Sequence, residues 1–418
     1  APLVASGELS LTERDKLLEE MTEQVAAHVL RDNYEQNILL SNARALAPVM
    51  VHEHIRLMHY LEDHADLDRT LEFLPSDIEL LERLQAHGQG LTSPELAVLV
   101  AYAKIALKKD LITTSIPDQA WFSRELHAYF PPHIVDTYGD RLAAHPLARQ
   151  IITNAIANSV VNHGGPTFLL RAIEDTQAPI EDIATQEILD LSGIVGAIET
   201  LDNKIPTHTQ THLYHTLTRT LDTTIRWLIQ APSASIEQTV ERFAALGSWI
   251  GRLNDFLNAA DASGRAEEIK TLLAEGIPDD LAAISVDLPR ATTLMNAIDT
   301  AARLDENPDE VLRILLDLYE RFSIDELVQL NANLPATNAW TATAQSATEA
   351  DLHATAVELT ERVLADTEPG TDRVGIWLAE HPASERTLAA TKELVKTQEA
   401  SLASLVVALR SMRALAKS

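Results

Sequence analysis

Chemistry needs particular side chains at particular spacings, and few groups in this sequence approach that condition. His208, His212 and His215 fall at i, i+4 and i+7, one face of a helix and a spacing compatible with a divalent metal. The competing reading is a Thr- and His-rich helix face in solvent. A metal centre also needs further ligands and groups that orient them, and no metal site is assigned. His52, His54, His59 and His64 cluster as well, but no three share a face, and no His-Glu-x-x-His occurs. Gly88-Gln89-Gly90 begins like a phosphate-binding loop, yet Ser93 stands where a third glycine is needed. Ser159 and Ser248 lie in no Gly-x-Ser-x-Gly elbow. No catalytic and no cofactor-binding residue is assigned.

Two ladders of polar, mostly amide side chains stand out instead. Asn33, Gln36, Asn37 and Ser41 follow one another at i, i+3, i+4 and i+8, with Leu30, Tyr34 and Ile38 as an apolar stripe beside them. Asn154, Asn158 and Asn162 repeat at i, i+4 and i+8, flanked by Ile151, Ile152, Ala155 and Ile156. Solvated helix faces normally carry Lys and Glu, and Asn is a poor helix former. Such amides belong either to a buried network that fixes packing within the chain or to a docking surface for a protein segment. Asn33, Tyr34, Gln36, Asn37, Ser41, Asn154, Asn158 and Asn162 are therefore the candidate interface. The two ladders could meet in one buried network.

The elements that position them read as helices throughout. Ser10-Leu11-Thr12-Glu13 is a capping box. It opens a long helix to about Pro48, on which Leu11, Leu18, Met21, Val25 and Val29 keep one apolar face that the amide stripe continues. Thr92 and Glu95 form a second box. The helix after it is apolar nearly all round, and Lys104, Lys108 and Lys109 lie near its C-terminus, where the dipole favours cations. Later helices are expected over 181–201, 208–230, 236–258, 265–275, 278–303, 308–320, 324–330, 349–366 and 372–380, with a last long one over 384–416. Asn331 to Thr348, polar and rich in Ala and Thr, is the best loop candidate. The expected fold is all-α, with no Rossmann sheet, in two helical subdomains, 1–175 and 176–418.

Composition bounds the function. The 418 residues carry 62 acidic and 33 basic side chains, a net charge of −29, which argues against nucleic acid and anionic membranes as partners. There is no cysteine, so disulfides and thiolate chemistry are excluded, and a reducing cytoplasm fits. No apolar run reaches the roughly 18 residues of a membrane span. Residue 1 is alanine, not methionine, so the expectation is a chain that starts inside a larger gene product.

Arg31-Asp32-Asn33-Tyr34-Glu35-Gln36-Asn37 with Leu40-Ser41, then Leu71-Glu72-Phe73-Leu74-Pro75, resembles the large bacterial NAD-specific glutamate dehydrogenases. The likeness continues through Gly90 to Leu99, Ala101 to Ile105, His145-Pro146-Leu147, Ala157-Asn158, Val161-Asn162, Gly164 to Phe168 and Leu201 to Pro206. It is specific up to about residue 170 and weaker after about 210. The resemblance implies a helical region C-terminal to the catalytic domain of an enzyme that converts L-glutamate, NAD and water to 2-oxoglutarate, ammonium and NADH. It implies that the nucleotide-binding glycines and substrate lysines lie upstream, outside these residues. NAD then serves the parent enzyme and not this part of it. The implied partners are the catalytic domain of the same polypeptide and further copies in a homo-oligomer. The alternative is a free-standing helical scaffold or adaptor.

Overall fold

A computed structural model of the chain describes residues 2–185, 192–231, 236–335, 338–370, 372–397 and 400–417. No β-strand occurs among them, and the protein is all-α. The helices form two compact units. One comprises Ala1–Leu170 with Pro179–Glu187, the other Arg171–Ala178 with Ile188–Ser418.

The first unit is built on α1 (Leu11–Glu20), α2 (Thr22–Leu46), α3 (Val51–His64), α4 (Asp77–His87), α5 (Ser93–Leu111) and α6 (Ala148–Gly164). The expected long first helix is divided at Met21, whose backbone stays right-handed (φ −88°, ψ −8°), so the chain is interrupted without being turned away. The capping boxes at Ser10 and Thr92 are both formed, and a further one stands at Ser76. Glu95 accepts from the Thr92 amide at 2.6 Å and from Arg83 at 2.8 Å, which ties the start of α5 to α4. Gly88 ends α4 in the left-handed region, φ 62°, a conformation glycine adopts without strain. The core forms where Val51, Leu57, Met58 and Leu61 of α3 meet Ala43 of α2, Leu80 of α4, and Leu96 and Leu99 of α5. Each fully buried leucine of this kind contributes on the order of 2 kcal/mol through removal from water.

The second unit is organised by α7 (Thr207–Gln230), α8 (Ala291–Leu304), α9 (Pro308–Phe322), α10 (Ala339–Asp366), α11 (Arg373–Glu380) and α12 (Leu402–Ala416). Leu352, Ala356, Leu359 and Val363 give α10 a buried stripe at helical spacing, and Leu405, Leu409 and Met412 do the same for α12. Arg373 is buried at the start of α11. Its guanidinium donates to Glu310 (2.5 Å), Thr367 Oγ1 (2.9 Å) and the Leu364 and Thr367 carbonyls (2.8 and 2.6 Å).

Several expectations are corrected here. Asn331 to Thr348 is not a loop: α10 begins at Ala339, capped by the Asn338 side chain on the Thr341 amide at 3.0 Å (residues 336–337 lie outside the described ones). Alanine is the strongest helix former, and burial of Thr348 and Leu352 outweighs the polar look of the segment. The helix expected over 384–416 is two, Ser384–Thr397 and Leu402–Ala416, because Ser401 caps a new start on the Ser404 amide; residues 398–399 lie outside the described ones. The expected helix 278–303 is broken by Pro289, whose ring and missing N–H leave a 3₁₀ turn between Asp279–Asp287 and α8. That over 236–258 is Ile236–Phe243, Leu246–Arg252 and a 3₁₀ turn. Of the one over 181–201, Ile180–Thr185 and Ser192–Glu199 are helical, and 186–191 lie outside the described residues.

Candidate domain-docking interface

The two amide ladders have different fates. On α2, Asn33 and Asn37 are exposed and turn back on their own helix: Asn33 Nδ2 donates to the Val29 carbonyl at 3.0 Å and Asn37 Nδ2 to the Asn33 carbonyl at 2.9 Å. Gln36 and Ser41 are exposed beside them, and Tyr34 is half-buried. The ladder on α6 is half-buried and faces α5. Asn162 Oδ1 accepts from Lys104 Nζ at 2.7 Å, and Asn154 Oδ1 accepts from Lys108 Nζ at 3.1 Å. Asn158 lies midway between them along α6. The ladders therefore do not bond to each other. The connection between α2 and α6 is made by Glu35, which accepts from Asn162 Nδ2 at 3.1 Å and pairs with Arg31 at 2.6 Å.

A relay results: Arg31 to Glu35 on α2, Asn162 on α6, Lys104 on α5. Lys104 retains only 8% exposure. Burial, and then the neighbouring Lys108, hold its ammonium pKa below the ordinary lysine value, against the attraction of Glu35 and Asp32. Sequence reasoning assigned Lys104 and Lys108 to the helix dipole. The signal that would have found their role is a pair of lysines at i, i+4 in an apolar helix, matching asparagines at i, i+4 and i+8 on another.

The face that the amide stripe continues is exposed, not core. Leu11, Leu18, Val25, Val29 and Leu30 all stand in solvent on α1 and α2, and α1 has no buried residue. Leu11, Leu18 and Val25 repeat every seven residues, the period of a helix-packing seam. With Asn33, Asn37 and Ser41 the stripe runs about 45 Å at 1.5 Å rise per residue. Phe73 adds a second exposed apolar group. It is 89% exposed at φ 55°, on a turn held by Asp68, which accepts from the Thr70 and Leu71 amides at 3.0 Å each.

The second unit holds a cavity of about 540 Å³, lined in part by Arg226, Trp227, Asn296, Glu349 and His353. Burial pushes the Glu349 carboxyl above the usual range, although Arg219 and Arg226 oppose this. His208, His212 and His215 lie exposed on one face of α7, and no group of three or more His, Asp or Glu among the described residues could hold a metal ion. Among the described residues no helix is long and apolar enough to cross a membrane.

The first unit is thus all-helical and pairs an exposed apolar and amide seam with a partly buried lysine–amide relay. Residues 88–414 match the family described as "Glutamate dehydrogenase, C-terminal". Residues 1–43 match "Bacterial NAD-glutamate dehydrogenase, catalytic domain". The chain is 33% identical to an NAD-specific glutamate dehydrogenase of Pseudomonas aeruginosa over 431 residues, covering 100% of this chain and 26% of that protein. It is 33% identical to that of Halomonas elongata over 392 residues (91% and 24%), and 32% identical to that of Mycobacterium tuberculosis over 424 residues (98% and 26%). The chain belongs to the large bacterial NAD-specific glutamate dehydrogenase family. It spans about a quarter of the length of these relatives. The stretch Arg31 to Ser41 thus falls within the match to the catalytic-domain description and not after it.

Proposed function

We propose that this chain is the helical C-terminal part of an NAD-dependent glutamate dehydrogenase and serves it as a non-catalytic docking and support domain. The parent enzyme oxidatively deaminates L-glutamate to 2-oxoglutarate with NAD, which binds outside these residues, and works in the cytoplasm as a homo-oligomer. One observation carries the structural role. The relay joins Glu35, inside the match to the catalytic-domain description, to Asn162 and Lys104, inside the match to the C-terminal description. On this reading α1 and α2 are the last helices of the catalytic domain, and α5 and α6 hold them. The seam from Leu11 to Val29, continued by Asn33, Gln36, Asn37 and Ser41, takes the rest of that domain.

The test has two steps. The purified chain, assayed with glutamate and NAD, is expected to show no turnover; measurable turnover overturns the non-catalytic role. The catalytic region, expressed separately, is then mixed with it and the complex measured by size-exclusion chromatography with light scattering. Leu18→Glu with Val25→Glu, or Asn33→Leu with Asn37→Leu, should abolish the complex and leave the melting temperature of the chain within a few degrees. Unfolding of the chain alone by these changes, with normal assembly of what remains folded, would mean that the stripe is internal packing.

A further inference from the structure

The loop between α3 and α4 is anchored like a core element and yet holds two large apolar side chains out in water. Ala65, Leu67 and Leu74 of this loop belong to the core of the first unit, with Leu57, Leu61 and Leu80. Arg69 ties the loop to both flanking helices, donating to Glu62 Oε2 at 3.0 Å and to Asp77 Oδ1 at 2.6 Å. Tyr102 of α5 donates to Glu72 Oε1 at 2.8 Å, and the Leu74 amide donates to the Arg69 carbonyl at 2.8 Å. Between these anchors Leu71 is 71% exposed and Phe73 89% exposed.

Phe73 also has φ 55°. There its Cβ crowds the backbone, a conformation that glycine takes freely and a bulky residue does not. The ring buries almost none of its area, so nothing in this unit offsets the strain. The anchors on either side impose it, and strain held in this way gathers where a segment is preorganised for contact. A rigid pair of apolar side chains also loses little freedom on docking.

Charge selects the occupant. Residues 62–79 carry seven carboxylates and one arginine, Arg69, which is already paired with two of them. A second copy of the chain would bring the same acids to the same place. An apolar hollow rimmed by Lys and Arg fits instead. The chain covers 24% to 26% of the relatives it matches. The rest of such a polypeptide is tethered to the loop, as no free partner is.

We propose that Leu71 and Phe73 form a preformed apolar knob that seats in a Lys- and Arg-rimmed hollow on the catalytic region of the parent polypeptide. This is a docking point separate from the seam of α1 and α2, and it rests on the reading of the chain as one part of that enzyme.

Hydroxyl-radical footprinting read by mass spectrometry tests it, because an exposed phenylalanine ring oxidises and a covered one is spared. Phe73 is expected to oxidise readily in the isolated 418-residue chain at every protein concentration, and several-fold more slowly in the full-length parent enzyme. Leu18 of the α1 seam is followed in the same samples. Protection of Leu18 with Phe73 still oxidised overturns the knob alone; protection of neither overturns the docking reading with it. Phe73 spared already in the isolated chain, or spared only as that chain is concentrated, would show that the chain itself or a second copy is the occupant, and overturns the proposal. Phe73→Gly supplies the second arm. It relieves the left-handed backbone, so the melting temperature of the isolated chain should hold or rise, while that of the full-length enzyme falls by several degrees. A lower melting temperature of the isolated chain, or an unchanged one for the full-length enzyme, counts equally against the knob.

Discussion

His54 sits in the buried stripe of α3 at 1% exposure, and its Nδ1 has no hydrogen-bond partner. Burial lowers its pKa from 6.5 to about 4, so the imidazole is neutral in the folded chain. The unfolded chain binds the proton first. Between about pH 6.5 and 4 it therefore holds more protons than the folded chain, and stability falls as the pH falls through that window. A shift of this size corresponds to on the order of 3 kcal/mol. His54→Leu, close in volume and fully apolar, should remove that part of the acid sensitivity. Urea midpoints at neutral pH and near pH 4.5 measure it. An equal acid loss in wild type and variant would show that His54 is not the titrating group. His54 was visible in the sequence only as one of four clustered histidines, and its burial was not, because that comes from tertiary packing.

At the scale of elements, local signals were legible wherever a cap fixed them. Ser10 and Thr92 start helices as their capping boxes require. Ser401 was missed because Ser404, not Glu, completes its box. The seam of α1 and α2 was legible as a periodic apolar face, yet periodicity does not say whether a face is covered. The lysine–asparagine match between α5 and α6 needed the antiparallel register, which comes from tertiary packing. Gly90 makes one further element-level demand. A Cβ there would lie 2.1 Å from the Ala47 carbonyl oxygen and 2.8 Å from the Pro48 nitrogen, both backbone atoms that cannot rotate away. Gly90→Ala should push the start of α5 off the end of α2 and cost about 3 kcal/mol. Thermal melts of the variant check this; an unchanged melting temperature would show that the two segments separate freely.

At the scale of the molecule, the fold class followed from composition, since Ala and Leu dominate the hydrophobic residues and aromatics are 5%. The unit boundaries did not, because Arg171–Ala178 and Pro179–Glu187 cross between units within a few residues. The charge has its own consequence. With 62 acids against 33 bases, like-charge repulsion is strong at neutral pH and fades toward the pI of about 4.8. Solubility should pass through a minimum there, measured by turbidity across a pH series. A flat profile would contradict the charge argument.

On the proposed docking role, the exposed seam of α1 and α2 is modest for a surface that would have to find its partner in free solution. Tethered partners meet at an effective concentration set by the linker, in the millimolar range for short flexible connections. A weak apolar strip is then enough, because the encounter is intramolecular. A single cut between such a seam and the body it packs on would return the pair to ordinary dilution, and the contact would be lost without the change of one atom in it.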